Sequence, residues 1–158
     1  MSCGIEFTVG DAPSLEDAKN AKQFSFEGLQ ASARVIKCYD ADSVTLCVNL
    51  FGVPTILKTR VLHIDTPELR TRDLLEKALG YQAKYFVQDL ILDKVVTVKF
   101  REFDLYGRPL CDITLDDFRD LSTLLIEAKL AQPYEGGTKK SWGEFIKEHH
   151  PNLEPYSK

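Results

Sequence analysis

The clearest pattern in this 158-residue chain is a regular alternation of apolar and polar side chains over residues 44–50. Such alternation is the period of a strand that buries one face. Strand-like runs also occupy Ala33–Tyr39 and Thr55–Ile64, and the glycine and proline within Phe51–Pro54 indicate a turn. The pattern therefore predicts a three-stranded meander.

A helical period replaces the strand period after residue 70. Apolar side chains recur there every three or four residues, at Leu75, Leu79, Ala83, Phe86 and Leu90. Asp73 and Glu76 are spaced as a capping box in front of this run, while Gly80 weakens it and offers a second position for the helix start. The spacing predicts one amphipathic helix that begins near Asp73 or near Gly80.

The second half of the chain repeats the order of strands followed by a helix. Strands are predicted at Val95–Phe100 and Leu110–Leu115, followed by a helix that Asp120 caps and that ends before Pro133. A short last helix is predicted over Trp142–His149. Five short strands with an inserted helix predict a β-rich α+β fold, a five-stranded barrel of the oligonucleotide-binding (OB) type with two to three helices.

The distribution of charge adds a division of the chain into regions. The chain carries 20 basic and 24 acidic side chains, a net charge of −4, which argues against a strongly basic nucleic-acid-binding protein. Residues 1–30 hold five of the acidic side chains and only two of the basic ones. We therefore expect a flexible acidic extension over residues 1–28, with a short strand near Ile5–Val9, then the barrel domain over residues 29–150 and a tail over residues 151–158. The extension is a candidate for binding a protein partner.

The sequence also indicates a compartment. No apolar run approaches the roughly 18 residues of a membrane span, and the first residues lack the basic and apolar regions of a secretory signal. The four cysteines form no Cys-x-x-Cys pair, and Cys38 and Cys47 lie in strand-like runs, where a small buried thiol is the simpler interpretation. We expect an intracellular monomer that has no membrane contact.

Three short segments place charged side chains where an apolar strand ends. Asp40–Val44 (DADSV) holds two carboxylates that point at one cation or shape a turn. Arg60–Glu68 (RVLHIDTPE) is a site for calcium or magnesium or an ion-paired strand end. Asp104–Arg108 (DLYGR) is a turn with a protruding arginine. Together they hold what phosphodiester hydrolysis needs, namely carboxylates for a divalent ion and water, and guanidinium groups for the developing charge.

In this order and spacing, the three segments resemble the staphylococcal nuclease-like (thermonuclease) family. The resemblance covers about residues 33–134. It implies an OB-type barrel with three helices and a calcium-dependent endonuclease that hydrolyses DNA and RNA and leaves 3′-phosphate ends. DNA or RNA is therefore the expected substrate, and calcium rather than magnesium the expected cofactor.

The resemblance also implies a role for individual positions. Its catalytic trio falls on Arg60, Glu68 and Arg108. Its metal ligands fall on Asp42, Asp65 and the carbonyl of Thr66, and a carboxylate just outside these ligands falls on Asp40. Its tyrosines of the nucleotide pocket fall on Tyr106 and, with a register offset of about one residue, on Tyr134.

Three positions depart from the family's pattern. Ala41 stands where a glycine is usual and Ser43 where a threonine is usual, so the geometry of this turn is expected to differ. Leu105 stands where the best-known member has a lysine near the substrate phosphate, which predicts a weaker and less salt-dependent grip on nucleic acid.

Two further features are interpreted as outside the chemistry. His63 alternates away from the face of Arg60, which predicts a packed or surface side chain. The Glu-Gly-Gly-Thr-Lys-Lys run at residues 135–140 is interpreted as a solvated turn in preference to a basic loop beside the site.

Two functions from other classes are alternatives to catalysis. One is a catalytically inactive nuclease-like barrel that binds nucleic acid or protein. The other is an interaction domain whose acidic extension recruits a partner. The presence of Arg60, Glu68 and Arg108 together favours the enzyme.

Overall fold

The computed structural model describes residues 10–158 of the chain. The strands within these residues are β1 (Gln30–Cys38), β2 (Ser43–Leu50), β3 (Val53–Val61), β4 (Ile64–Asp65), β5 (Val95–Phe103), β6 (Pro109–Thr114) and β7 (Gln132–Pro133). The helices are α1 (Leu15–Asn20), α2 (Leu74–Ile91), α3 (Leu121–Glu127) and α4 (Trp142–His149). The predicted strand near Ile5–Val9 lies outside the described residues.

Five of these strands close into a barrel in the order β1-β2-β3-β6-β5. Neighbouring strands are antiparallel except β3 and β6, which run parallel where Arg60 pairs with Leu110. The short strands β4 and β7 form a separate pair. The predicted β-rich α+β fold with a five-stranded OB-type barrel is confirmed, and the described residues form one helix more than predicted.

The alternating side chains of β2 fill the barrel interior. Val44, Leu46 and Val48 are at most 2% exposed, whereas the residues between them are only partly buried. Phe100 of β5 and Ile113 of β6 belong to the same core. Each such side chain contributes about 1.5–3 kcal/mol when it is removed from water, and a slip of one residue would expose the whole set. This burial fixes the register that sets the functional segments side by side.

Helix α2 begins at Leu74, directly after its predicted N-cap. The Asp73 carboxylate accepts hydrogen bonds from the backbone N–H groups of Leu75 and Glu76. The predicted capping box is only half formed, because Glu76 Oε1 accepts from the backbone N–H of Glu68 at 3.0 Å instead of returning to Asp73. The same glutamate therefore joins the start of α2 to the segment that carries Glu68.

Gly80 lies inside α2, so the alternative helix start at this residue is wrong. A Cβ built on Gly80 would lie 2.9 Å from Leu69 Cδ2 and 3.0 Å from the carbonyl oxygen of Pro67.

We expect Gly80→Ala to lower the free energy of unfolding by about 1–3 kcal/mol, because overpacking outweighs the better helix propensity of alanine. Urea unfolding measures this change. Gly143→Ala in α4 is the control, since its nearest contact is 3.6 Å away, and equal stability of the two variants would contradict the prediction.

The turn between β2 and β3 is shorter than the predicted Phe51–Pro54 segment. Phe51 and Gly52 alone form it, with φ values of 49° and 78°, and β3 already begins at Val53. Two consecutive positive φ values are typical of a tight hairpin turn whose twist matches the strands. Pro54 consequently lies in the strand, where it pairs with Asn49.

The described part of the predicted extension contains two ordered features. Helix α1 is capped by Ser14 and has no buried residue, which explains why its six residues show no hydrophobic period. Further along, Phe26 packs against Phe100 and Phe103 of β5, with ring centres 5.7 and 5.4 Å apart. The predicted boundaries at residues 28 and 150 stay predictions.

No helix in the described residues is long and apolar enough to cross a membrane.

Cys38, Cys47 and Cys111 are free thiols. Burial raises the pKa of Cys38 to about 11 and that of Cys111 to about 12. The prediction of a buried thiol is confirmed for Cys38, whereas Cys47 is only partly buried.

Candidate active site

The first predicted segment forms the turn between β1 and β2. Ala41 and Asp42 are buried there, at 1% and 8% exposure. The backbone N–H of Val61 donates to the Asp42 carbonyl at 2.8 Å, which ties this turn to the end of β3. Ala41 has no positive φ, so alanine fits this turn without the strain expected from the loss of a glycine.

Asp42 lies against Arg60 of β3, with Oδ2 and Nη2 3.4 Å apart. Burial raises the pKa of Asp42 well above its ordinary value, the charge of Asp40 raises it further, and Arg60 opposes both. The charge of Glu68 also raises this pKa. The structure therefore brings four of the predicted residues into one electrostatic cluster.

The second predicted segment turns one carboxylate inward and another outward. Asp65 of β4 and the following Thr66 are buried, at 4% and 5% exposure. Glu68 is exposed, and its backbone is held by the hydrogen bond to Glu76 described above. Glu76 is thus a positioning residue that the sequence pattern assigned only to a helix cap.

Arg108 approaches the β1–β2 turn from the connection between β5 and β6. Asp104 organises that connection, because its carboxylate accepts from the backbone N–H groups of Tyr106 and Arg108 and from Arg108 Nε at 2.7 Å. Burial acts to raise the pKa of Asp104, but these hydrogen bonds outweigh it and lower the pKa below its ordinary value. Arg108 Nη1 lies 3.4 Å from Ser43 Oγ, which lies 3.4 Å from Asp42 Oδ1. Ser43 therefore links the arginine to the buried carboxylate.

A pocket of about 370 Å³ opens beside these segments. Arg60 and Arg108 lie on its wall, as do the two predicted tyrosines, Tyr106 and Tyr134. Tyr106 is 86% exposed, and its ring centre is 5.9 Å from Arg108 Cζ. The Tyr134 hydroxyl donates to the Gly137 carbonyl at 2.9 Å. The pocket thus joins two guanidinium groups to two aromatic rings.

His63 also lines this pocket, so its predicted orientation away from Arg60 is wrong. The strand β3 ends at Val61, and His63 has a φ of 70°, which breaks the alternation on which the prediction depended. Its Nε2 lies 3.0 Å from Asp112 and its Nδ1 2.8 Å from Glu135. It is nonetheless a surface side chain, as expected, and it anchors the start of the loop at residue 135.

Lys139 belongs to the site, although the sequence pattern placed it in a solvated turn. Its Nζ lies 2.6 Å from Asp65 Oδ1 and 5.8 Å from the ring centre of Tyr134. Burial acts to lower the pKa of Lys139, but the hydrogen bond and charge of Asp65 outweigh it and raise the pKa above its ordinary value. Residues 135–140 are all exposed, as the solvated-turn interpretation requires, but the contact of Lys139 with Asp65 also places the loop beside the site, which was the other interpretation. The signal available in the sequence was a pair of lysines after two glycines.

The oxygen atoms of this site fit a hard divalent cation. Asp40 Oδ1 and Asp65 Oδ2 are buried and have no hydrogen-bond partner. Buried carboxylates in this state are costly unless a cation neutralises them, and oxygen ligands favour calcium or magnesium. Across residues 10–158, no three carboxylate, histidine or cysteine side chains converge as a metal cluster. A cation held by Asp42 and Asp65 therefore also needs a backbone carbonyl, such as that of Thr66, and water.

A comparison with protein families agrees with this geometry. The family model described as staphylococcal nuclease homologue matches residues 58–150, which is more than half of the chain. The matched segment contains Arg60, Glu68 and Arg108 and begins after Asp42. A search among curated proteins gave no match. The fold and the family match together show that the chain belongs to the staphylococcal nuclease homologue family.

Proposed function

We propose that this protein is a calcium-dependent nuclease that hydrolyses phosphodiester bonds of DNA, RNA or both and leaves 3′-phosphate ends. The observation that carries the proposal is the convergence of Arg60 and Arg108 on one pocket beside buried carboxylates. Two guanidinium groups at one cavity match the oxygens of a phosphodiester, and the carboxylates match a cation and a water molecule. The family to which the chain belongs supports the same reaction class.

Glu68 is the group that we assign to the attacking water. Its side chain is exposed, and its charge acts on the cluster around Asp42. The carboxylate accepts a proton from the water or orients it as it attacks phosphorus. The bond from phosphorus to the 5′ oxygen then breaks, the 5′ oxygen takes up a proton from solvent water to become a hydroxyl, and the phosphate remains on the 3′ oxygen.

Arg60 and Arg108 stabilise the negative charge that increases on the phosphoryl oxygens. Asp42 and Asp104 hold the two guanidinium groups at 3.4 and 2.7 Å, so both cations are oriented before substrate arrives. Groups oriented in this way need no reorganisation in the transition state. A guanidinium group does not give up its proton in proteins, so the role of Arg108 is electrostatic.

Asp42, Asp65 and the Thr66 carbonyl would hold the calcium ion, and Asp40 would add negative charge close to it. Bound calcium would polarise the phosphoryl group and offset part of its charge. The unpaired oxygens of Asp40 and Asp65 support this assignment, because each is a buried acceptor that lacks a donor.

Tyr106 and Tyr134 are the residues that we assign to stacking with the bases of the nucleic acid. Aromatic rings on the wall of a basic groove stack with bases whatever their sequence. Leu105, fully exposed at the rim, adds no charge there, which supports a weaker and less salt-dependent grip than a lysine would give.

A cleavage assay tests the proposal. The purified chain is incubated with single- and double-stranded DNA and RNA in calcium, in magnesium or in excess chelator. We expect calcium to raise the cleavage rate by at least about 100-fold over the chelated sample, because the metal supplies several kcal/mol of charge stabilisation. Labelled ends show whether the product carries a 3′-phosphate.

Two results would contradict different parts of this proposal. Cleavage that survives chelation would exclude the metal-dependent mechanism. If none of the four substrates is cut in calcium, the enzyme assignment is wrong, and the inactive nucleic-acid-binding barrel becomes the better interpretation.

A further inference from the structure

Lys139 contacts a proposed metal ligand from a loop that the fold holds in place. The loop at residues 134–140 begins directly after β7, and Glu135 at its start pairs with His63 at 2.8 Å. It ends with the 2.6 Å contact between Lys139 Nζ and Asp65 Oδ1. The Lys139 side chain is 44% exposed, but the loop is anchored before it and it lines the same pocket as Arg60 and Arg108, so this contact belongs to the pocket wall.

The contact with Lys139 pairs only one of the two carboxylate oxygens of Asp65. The Asp65 side chain is 5% exposed, and while Oδ1 is paired with Lys139, Oδ2 has no hydrogen-bond partner. An ammonium group brings one positive charge and occupies one carboxylate oxygen here. A divalent cation brings two charges, and it binds carboxylate oxygens at closer range than a hydrogen-bond donor does. Both cations therefore compete for the same buried carboxylate.

We propose that Lys139 is an internal counter-ion that competes with calcium for Asp65 and thereby sets the calcium affinity of the site. The inference rests on the metal site of the proposed function. In the metal-free protein the ammonium group neutralises Asp65. Calcium binding displaces it, and the lysine remains on the pocket wall with Arg60 and Arg108.

Calcium titration of the full chain by isothermal calorimetry tests this competition without any measurement of cleavage. We expect Lys139→Met to lower the Kd for calcium by about 10-fold, the effect of removing one competing contact worth about 1.4 kcal/mol. Lys139→Arg keeps the cation and is expected to retain the affinity of the unmodified chain. Lys140→Met is the matched control, because it removes the same charge from the next residue, which is also exposed but lines a different pocket. Salt screens such a charge, so its effect is expected to stay within about 2-fold.

The outcomes separate a failure of this inference from a failure of the proposed function. Suppose that the unmodified chain binds calcium and that Lys139→Met has the same Kd as the unmodified chain or as Lys140→Met. The proposed competition between Lys139 and calcium is then wrong, and the proposed metal site stands. If neither the unmodified chain nor Lys139→Met binds calcium, the proposed metal site fails, and the competition fails with it. Lys139→Gln, which keeps a hydrogen-bond donor for Asp65 and removes the charge, replaces the methionine variant if that variant does not fold, and the same 10-fold criterion applies.

Discussion

Replacing Glu68 with glutamine is expected to lower the turnover of phosphodiester cleavage by about 10²–10⁴-fold, the range typical of a positioned general base. The amide has nearly the shape of the carboxylate, but it cannot accept a proton from the attacking water. Affinity for the substrate should change little, because Arg60, Arg108 and the pocket tyrosines remain. The expected result is thus a loss in kcat at nearly constant KM.

The structure gives a reason why the Glu68→Gln variant should fold normally. The Glu68 side chain is exposed, and the contact to Glu76 that holds this segment uses the backbone N–H of Glu68, which the substitution leaves intact. Thermal unfolding of the variant should therefore match that of the unmodified chain. Glu127→Gln changes another exposed glutamate, at the end of α3, and is the control that should retain full activity. If Glu68→Gln retains more than about a tenth of the normal kcat, Glu68 is not the base.

The sequence was sufficient for the barrel because burial there follows a simple period. Val44, Leu46 and Val48 alternate along β2 and all point into the core, so the hydrophobic pattern and the tertiary contacts agree. The charged segments were predictable for a related reason. Each one follows or precedes a strand, and closing the barrel brings those strand ends together. Ser43 is an example, because its hydroxyl lies close to both Asp42 of the β1–β2 turn and Arg108.

The errors occurred where tertiary contacts override local pattern. His63 takes a positive φ after β3 ends, and its two carboxylate partners, Asp112 and Glu135, are distant in sequence. Gly80 weakens a helix by propensity, yet it remains inside α2 because the neighbouring chain leaves no space for a side chain. No periodicity argument anticipates either effect.

Lys139 shows the same limit within the site itself. Its partner, Asp65, lies 74 positions earlier in the chain, and they meet because β7 pairs with β4 and carries the loop back to the pocket. The pattern of residues 135–140 is that of an ordinary polar turn, so the sequence alone favoured the solvated interpretation. A site residue of this kind becomes visible only when the short β4–β7 pair is known.

Replacing Arg108 with alanine is expected to lower kcat by about 10²–10³-fold, the cost of removing one oriented donor from a developing oxyanion. Arg108 is held by Asp104 at 2.7 Å and lies on the pocket wall, so its charge is directed before substrate binds. Arg108→Lys should recover only part of the loss, because an ammonium group keeps the charge without the planar pair of donors that fits two phosphoryl oxygens. Steady-state cleavage of a defined oligonucleotide measures all three proteins.

The control for Arg108 must separate its chemistry from its structural contact with Asp104. Arg119→Ala removes a comparable ion pair, the 2.7 Å contact with Asp117, from a side chain that is 52% exposed, and it should retain normal activity. Thermal unfolding of Arg108→Ala shows whether loss of the Asp104 contact loosens the turn. A variant that unfolds at the normal temperature and binds calcium normally, yet cleaves slowly, would assign the loss to the transition state. A variant with normal kcat would contradict the role assigned to Arg108 and would leave Arg60 as the only guanidinium group in the proposed mechanism.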